Sequence, residues 1–373
     1  MYCRRMTIKN YRNIASAEVE FSPGVNVIYG KNAQGKTNLL ESVYMFARGK
    51  SFRGTADKDL VKEGESFFSV KNEYTDKDRD QELLILHSEK KTKRFANEIR
   101  IERNVDMISR FRAVLFCPDH LGIVKGSPSE RREFLNIAIS QISRDYVYLL
   151  GDYHIGLENR NALIKRICMP GINGVTRARL TEDLGVWNEQ LAKYAARIAG
   201  KRKEYIEKIS PFAEFIMSEM SGNKEKLRVH YSCDVTCPED VERSELEYLK
   251  LFEEGIDRDL SAGSTQRGVH RDDISLKING EPLRQWGSQG QQRTAVLALK
   301  LAEGEICREY TGEEPVFLFD DVFSELDKER RKYLLSRSDS KQFIITTCEE
   351  DGGLEGVNTI HAVDGCFELH RKG

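Results

Sequence analysis

The segment Gly30-Lys31-Asn32-Ala33-Gln34-Gly35-Lys36-Thr37 limits the folds open to this chain more than any other. It satisfies G-x-x-x-x-G-K-[ST] at every fixed position. Chance would produce the pattern in about one chain in a hundred of this length. Its glycines let the backbone curl so that successive N–H groups point at the oxygens of an anion. Val25 to Tyr29 reads as a strand before it, and Leu39, Leu40, Val43, Tyr44 and Ala47 recur at helical spacing after it. Strand, glycine loop and helix N-terminus together cradle nucleotide phosphates. On this reading Lys36 reaches the β- and γ-phosphates of ATP and the Thr37 hydroxyl ligands Mg²⁺. Asn38 closes the set of nucleotide-binding positions.

Composition narrows the setting. The 373 residues carry 58 basic and 60 acidic side chains, so a nucleic-acid surface has to be a local patch. There is no apolar run of bilayer length, and the N-terminus "MYCRRMTIKNYRNI" has no apolar signal core; no membrane association and a cytoplasmic location are expected. The eight cysteines are scattered without a Cys-x-x-Cys, which favours reduced thiols over zinc or disulfides.

Along the chain, Ile14 to Phe21 alternates as a strand, and Ser66 to Ile101 suggests a small antiparallel subdomain. Val114 to Asp119 reads as a buried strand. From Ser129 to about Leu260 the pattern is mostly helical; Thr181 to Met220 suits two or three helices packed as a short antiparallel coiled coil. Asn279-Gly280 marks a hairpin turn. Strands resume in "PVFLFDDVFSELD" and "KQFIITTCEED". The expected architecture is α/β: a P-loop lobe from residues 1–118 and 312–373, interrupted by a mainly helical lobe at 119–311.

In "VFLFDD" an apolar run enters the sheet and ends on Asp320 and Asp321. At the carboxyl end of a strand beside the phosphate loop, Asp320 would hold Mg²⁺, through water, and Asp321 would orient or deprotonate the attacking water. Two acids capping the next turn would give the same sequence.

These motifs, with Ser288-Gln289-Gly290-Gln291 at the head of a long amphipathic stretch and "SELD" at 324–327, occur in the order of the ABC-type ATPases, which include the heads of chromosome-maintenance proteins. More closely, the chain resembles the RecF family. Shared phrases run nearly end to end: "IKNYRNI", "GKNAQGKTNLLES", "GKSFRG", "KGSPSERREFLN", "RNALIKR", "GVHRDDISLKING", "SQGQQRTAVLALKLAE" and "FLFDDVFSELDKERR". The resemblance implies an ABC-type ATPase head. It implies that Ser288, Gln289, Gly290 and Gln291 close over the γ-phosphate held by a second copy, giving an ATP-gated homodimer, and that Asp327 contacts the opposite subunit. Ser288 and Asp327 also suit ordinary helix caps. Transporters of this class carry glutamate where Asp321 stands, so slow hydrolysis is expected. The usual switch histidine is missing, with Thr346 and Thr347 in its place, and "FCPDHL" is the expected position of the loop that normally carries a glutamine.

The resemblance further implies binding of double-stranded and gapped DNA, partnership with RecR and RecO, and help in loading RecA during recombinational repair, replication and the response to DNA damage. The local basic clusters are Arg4/Arg5, Arg48/Lys50/Arg53, Arg131/Arg132, Arg160/Arg166 and Arg197/Lys201/Arg202/Lys203; taken singly, each is more often a solvated helix face than a phosphate contact. The roles of "HRDD" at 270–273 stay open between ligand contact and a structural network. A chromosome-organising head would require a longer coiled-coil arm, and a transporter subunit would require the missing glutamate and histidine.

Overall fold

The computed structural model describes residues 1–89, 91–323, 326–338, 340–349 and 357–370. The chain forms two compact units. One comprises Met1–Leu121, Phe215–Glu225 and Arg293–Gly373; the other comprises Gly122–Glu214 and Lys226–Gln292.

The first unit contains two six-stranded sheets. The antiparallel sheet runs β2-β1-β4-β5-β6-β7, from β1 (Tyr2–Tyr11), β2 (Ile14–Glu20), β4 (Phe67–Thr75), β5 (Asp80–Ser88), β6 (Lys91–Ala96) and β7 (Ile99–Ile101). The second runs β15-β14-β3-β13-β12-β8. It is built from β3 (Val25–Tyr29), β8 (Ala113–Phe116), β12 (Val316–Asp320), β13 (Phe343–Thr347), β14 (Asn358–Val363) and β15 (Cys366–His370). Five of its strands are parallel, and β15 pairs antiparallel with β14. β8, β12 and β13 are buried at every position and read as short, mostly apolar runs, because both their faces are covered.

The helix Lys36–Arg48 lies within one core that joins the sheets. Leu39, Leu40, Val43 and Phe46 pack with Met6, Ile8, Phe68 and Ile85 of the antiparallel sheet and with Ile28, Leu115, Leu318 and Ile344 of the parallel one. Each such side chain contributes about 1.5–3 kcal/mol on burial. On the other side of the parallel sheet Phe317, Phe319 and Phe343 form an aromatic cluster. The Gln289–Thr311 helix meets it at Gly304, where a Cβ would stand 2.2 Å from the Phe317 ring. That contact explains why residues 293–311 belong with the P-loop unit, although the sequence pattern places them in the helical lobe. Residues 215–225 join the same unit.

The second unit is a helical layer with a three-stranded sheet, β11-β10-β9, from β9 (Leu227–Ser232), β10 (Asp273–Ile278) and β11 (Glu281–Pro282). Asn279 and Gly280 form the expected hairpin turn, both at positive φ. The stretch from Thr181 to Met220 is not two or three helices. It lies in one 47-residue helix, Gly174–Met220, that continues through Pro211. Its antiparallel partner is the preceding helix, Arg144–Ile167. Contacts pair Tyr146 with Arg202, Gly156 with Leu191 and Arg160 with Asn188, so one helix descends as the other ascends. The break at Met169-Pro170-Gly171 is the turn between them.

Candidate nucleotide-binding site

Three adjacent parallel strands bring the chemistry together. β3 leads into the loop 30–35, β13 ends at Thr347, and β12 ends at Asp320, with Thr346 in register with both Ile28 and Asp320. The acids and the phosphate loop are therefore one strand apart, not on neighbouring strands, and β13 supplies the group between them. All three ends lie at the carboxyl edge of the sheet, where open α/β sheets bind ligands.

Gly35 ends the loop at φ +97°, in the left-handed region, directly before the helix begins at Lys36. The Lys36 ammonium folds over the loop, donating to the Gly30 carbonyl at 2.6 Å and the Lys31 carbonyl at 2.8 Å. Thr37 Oγ1 donates to Asp320 Oδ1 at 2.7 Å, and Thr346 Oγ1 donates to the same oxygen at 2.9 Å. Burial pushes the Asp320 carboxyl above its usual range, and the two hydroxyls oppose that shift. Asp321 sits at φ +53°, an uncommon conformation for a non-glycine residue, and its N–H donates to Thr346 Oγ1 at 3.0 Å. This twist sends the Asp320 side chain into the sheet edge while Asp321 lines the open cleft. The cleft, about 290 Å³, is also lined by Asn32, Ala33, Gln34, Gly35, Lys36, Thr37, Asn38, Arg53, Thr346 and Cys348.

The Thr37 hydroxyl and Asp320 carboxylate are two hard oxygen donors at the mouth of the loop. That set fits Mg²⁺, which takes few protein ligands and completes its octahedron with water and phosphate oxygens.

Several supporting residues escape a motif search. Asn13, in the β1–β2 turn, donates to the Ala33 carbonyl at 3.3 Å and accepts from Asn38 Nδ2 at 2.8 Å. The turn after β14 holds Gln34 through the N–H groups of Asp364 and Gly365. Arg53 donates to Asn38 Oδ1 at 3.0 Å. Cys348 Sγ lies 2.9 Å from Asn32 Oδ1 and 3.7 Å from Lys36 Nζ, so the side chain nearest the loop at the switch position is Cys348, with Thr346 turned to Asp320. The available signal was "YRNI" and "GKSFRG", phrases with no chemistry visible in one dimension.

The Ser288 cluster heads the Gln289–Thr311 helix, and its residues 288–292 fall in the second compact unit. Ser288 and Gln291 form a reciprocal cap: Ser288 N–H donates to Gln291 Oε1 at 2.8 Å, and Gln291 N–H donates to Ser288 Oγ at 3.2 Å. Gln292, one residue on, is buried and donates to the Leu283 and Gly287 carbonyls. Ser288 and Gln289 stay exposed. Asp327 likewise caps Lys328–Leu335, accepting from Arg330 N at 2.9 Å. Ser324 and Glu325 of "SELD", and the end of "CEED", lie outside the described residues. "FCPDHL" runs from β8 into a 3-10 turn, Pro118–Leu121. His120 is half-buried there, its pKa driven well below the usual range by desolvation and by Lys300 and Arg48.

The "HRDD" knot is a structural network. Asp273 takes a bidentate ion pair from Arg131, at 2.6 and 2.9 Å. Asp272 accepts from Arg202 Nη1 at 2.8 Å and from the Tyr231 hydroxyl. His270 Nε2 faces the Thr265 carbonyl at 3.1 Å, which only accepts, so the neutral ring carries its proton there and accepts a hydrogen bond from the Tyr153 hydroxyl at Nδ1, 2.7 Å away. The basic clusters are depleted accordingly. Arg160 is fully buried on Asp259 at 2.6 Å, Arg131 and Arg202 are interior, and Arg4 and Arg5 pair with Glu18, Glu20, Glu73 and Asp80.

Comparison with known proteins fits this geometry. The family model "RecF/RecN/SMC N terminal domain" matches residues 2–364. The DNA replication and repair protein RecF of Ruminiclostridium cellulolyticum is 37% identical over 366 residues, covering 96% of each chain. That of Clostridium novyi is 39% identical over 348 residues, covering 93% of this chain and 92% of its own. The chain belongs to the RecF family. A solved structure described as the recombination mediator protein RecF with ATP in the RecFOR pathway superposes with TM-score 0.91 at 35% identity, covering 99% of this chain and 98% of the other. An Smc head domain from Pyrococcus furiosus, at 16% identity and TM-score 0.57, shares the fold alone. RecF membership fixes the architecture as an ABC-type ATPase head with an inserted lobe. No helix of the described residues is long and apolar enough to cross a membrane.

Proposed function

We propose that the chain is an ATP-dependent DNA-binding protein of recombinational repair and replication. The observation that carries the reading is the preassembled cluster of Lys36, Thr37, Asp320 and Thr346 at one sheet edge. Lys36 neutralises the β- and γ-phosphates, and positions 30–38 form the cradle. Thr37, and Asp320 through water, would hold Mg²⁺, and the ion would offset phosphate charge. Asp321 orients the attacking water and accepts its proton; its short side chain on a left-handed backbone makes hydrolysis slow.

Ser288, Gln289, Gly290 and Gln291 of one copy cover the γ-phosphate bound by its twin, and Asp327 meets the opposite subunit. The exposed helix N-terminus at Ser288 supplies a hydroxyl and a positive dipole for that contact. ATP thus closes a homodimer on double-stranded or gapped DNA, and hydrolysis releases it. RecR and RecO are the expected partners, as the name of the RecFOR pathway in the related structure supports; RecA loading is the outcome this reading proposes.

The test is binding to gapped duplex with ATP, ADP and no nucleotide, alongside light scattering with a slowly hydrolysed analogue. Trp286 is 71% exposed two residues before Ser288, so its emission should shift to the blue as the dimer closes. A chain that stays monomeric with the analogue, and binds DNA equally in all three states, would sink the reading.

A further inference from the structure

The antiparallel sheet has two unlike faces. Met6, Ile8, Phe68, Val70, Leu83 and Ile85 point into the core. The outward residues form cross-strand rows, because directly paired residues share a face. One row reads Ser16, Lys9, Ser69, Leu86, Lys93 across β2, β1, β4, β5 and β6. Lys91 lies two residues along β6 from Lys93, opposite Ser88 and on the same face.

Charge divides this face. At one end the cations are matched: Arg5 bridges Glu18, Glu20 and Glu73, and Lys71 bridges Glu73 and Glu82. At the other, Lys9, Lys91 and Lys93 are exposed and make no ion pair among the described residues; Glu89, in the β5–β6 turn, is the acid in the sequence next to them. β7 covers β6 only at residues 94–96, and lysines on the open stretch before it deter pairing with other chains, which accounts for Lys91 and Lys93 alone. Lys9 stands three strands further in, where there is no edge to protect.

With strands about 4.8 Å apart, Lys9 and Lys93 are separated by roughly 14 Å at their Cα atoms, and Lys91 and Lys93 by about 7 Å. The first spacing is close to the ~12 Å width of a duplex major groove. Serine hydroxyls flank Lys9 on both neighbouring strands, and lysines with serines are the usual donors to phosphate and sugar oxygens.

The geometry points to this row as a seat for the sugar–phosphate backbone of double-stranded nucleic acid. Lys9, with Ser16 and Ser69, meets one backbone strand; Lys91 and Lys93 meet the other across a groove. The row contacts no base edges, so it adds affinity without sequence preference. It rests on the proposed DNA-binding function and places part of that contact on the P-loop unit, away from the basic clusters that the fold consumes in ion pairs.

The test uses the full chain with the slowly hydrolysed ATP analogue and a fluorescent 30-base-pair duplex, titrated across salt concentrations. Wild type is compared with the triple variants K9A/K91A/K93A and K9R/K91R/K93R. Each lost phosphate contact lowers the log–log salt slope by about 0.9. The alanine variant should therefore bind at least tenfold more weakly in low salt, with a slope shallower by two to three. Analogue binding and the unfolding midpoint should be unchanged, and the arginine variant should match wild type. Equal affinity and slope for the alanine variant overturn the site while leaving the DNA-binding function standing. Wild-type chain that binds no duplex overturns that function, and the site with it.

Discussion

At the scale of single residues, the site divides labour between two adjacent aspartates with different surroundings. Asp320 is buried and shared by two hydroxyls; Asp321 is exposed on a twisted backbone. Replacing Lys36 by alanine should weaken ATP binding at least a hundredfold, read by fluorescent-nucleotide titration. Asp321→Asn should bind ATP as wild type does, lose turnover by two orders of magnitude or more, and accumulate as closed dimer in gel filtration with ATP; undiminished hydrolysis would remove Asp321 from its role. His270 offers a pH test. Burial first of all lowers its pKa from 6.5 to about 4, so between these values the unfolded chain binds the extra proton and stability falls as pH falls. From pH 7.5 to 5.5 the chain should lose about 1–1.5 kcal/mol more than His270→Gln, in which the amide can still serve Thr265 and Tyr153. Parallel urea-denaturation curves at the two pH values check it.

At the scale of elements, the helix starting at Ser288 shows how one short sequence serves two purposes. The cap explains Ser288 and Gln291 by ordinary helix chemistry, and Gln292 is spent on holding the preceding turn. Capping does not explain the exposed Gln289. Ser288→Ala should cost about 1 kcal/mol in stability, from the lost cap, yet abolish analogue-driven dimerisation. Loss of stability alone would reduce Ser288 to a cap. Further along the helix, Gly304 admits the Phe317 ring; Gly304→Val should destabilise by about 1–3 kcal/mol in chemical denaturation through that clash. The same pattern of contacts shows why the helical lobe was harder to read. β9 alternates buried and exposed along "LRVHYS", but its period of two is only six residues long inside a charge-rich helical stretch. β1 is masked similarly, because its outward positions carry Arg5 and Lys9. The 47-residue helix runs past Gly185, a residue that ordinarily weakens a helix, since the stretch around it packs against Arg144–Ile167; it also continues through Pro211.

At the scale of the whole molecule, each unit is closed by its own interior logic. In the second, Arg202 ties Tyr146, Val269 and Asp272 together, and Tyr231 completes the set, joining both long helices to the small sheet. Asp272→Asn leaves a buried guanidinium without its carboxylate and should cost about 3–5 kcal/mol, measured as a drop in unfolding midpoint. The fold class, the phosphate loop, the paired aspartates and the antiparallel subdomain were legible in one dimension, because each is a local pattern: a fixed glycine spacing, an apolar run ending in acids, alternating strands. Which positive charges remain available was not. Arg131, Arg160 and Arg202 look like surface cations in the sequence and are interior partners of Asp273, Asp259 and Asp272, whereas Lys9 is far in the chain from Lys91 and Lys93 and joins them only through strand register. Sequence by itself therefore determined the elements and the chemistry they carry. Tertiary structure alone decided which charges are neutralised, what stands between loop and acids, and which residues share a face, since all three depend on pairings between separate segments of the chain that no local pattern records.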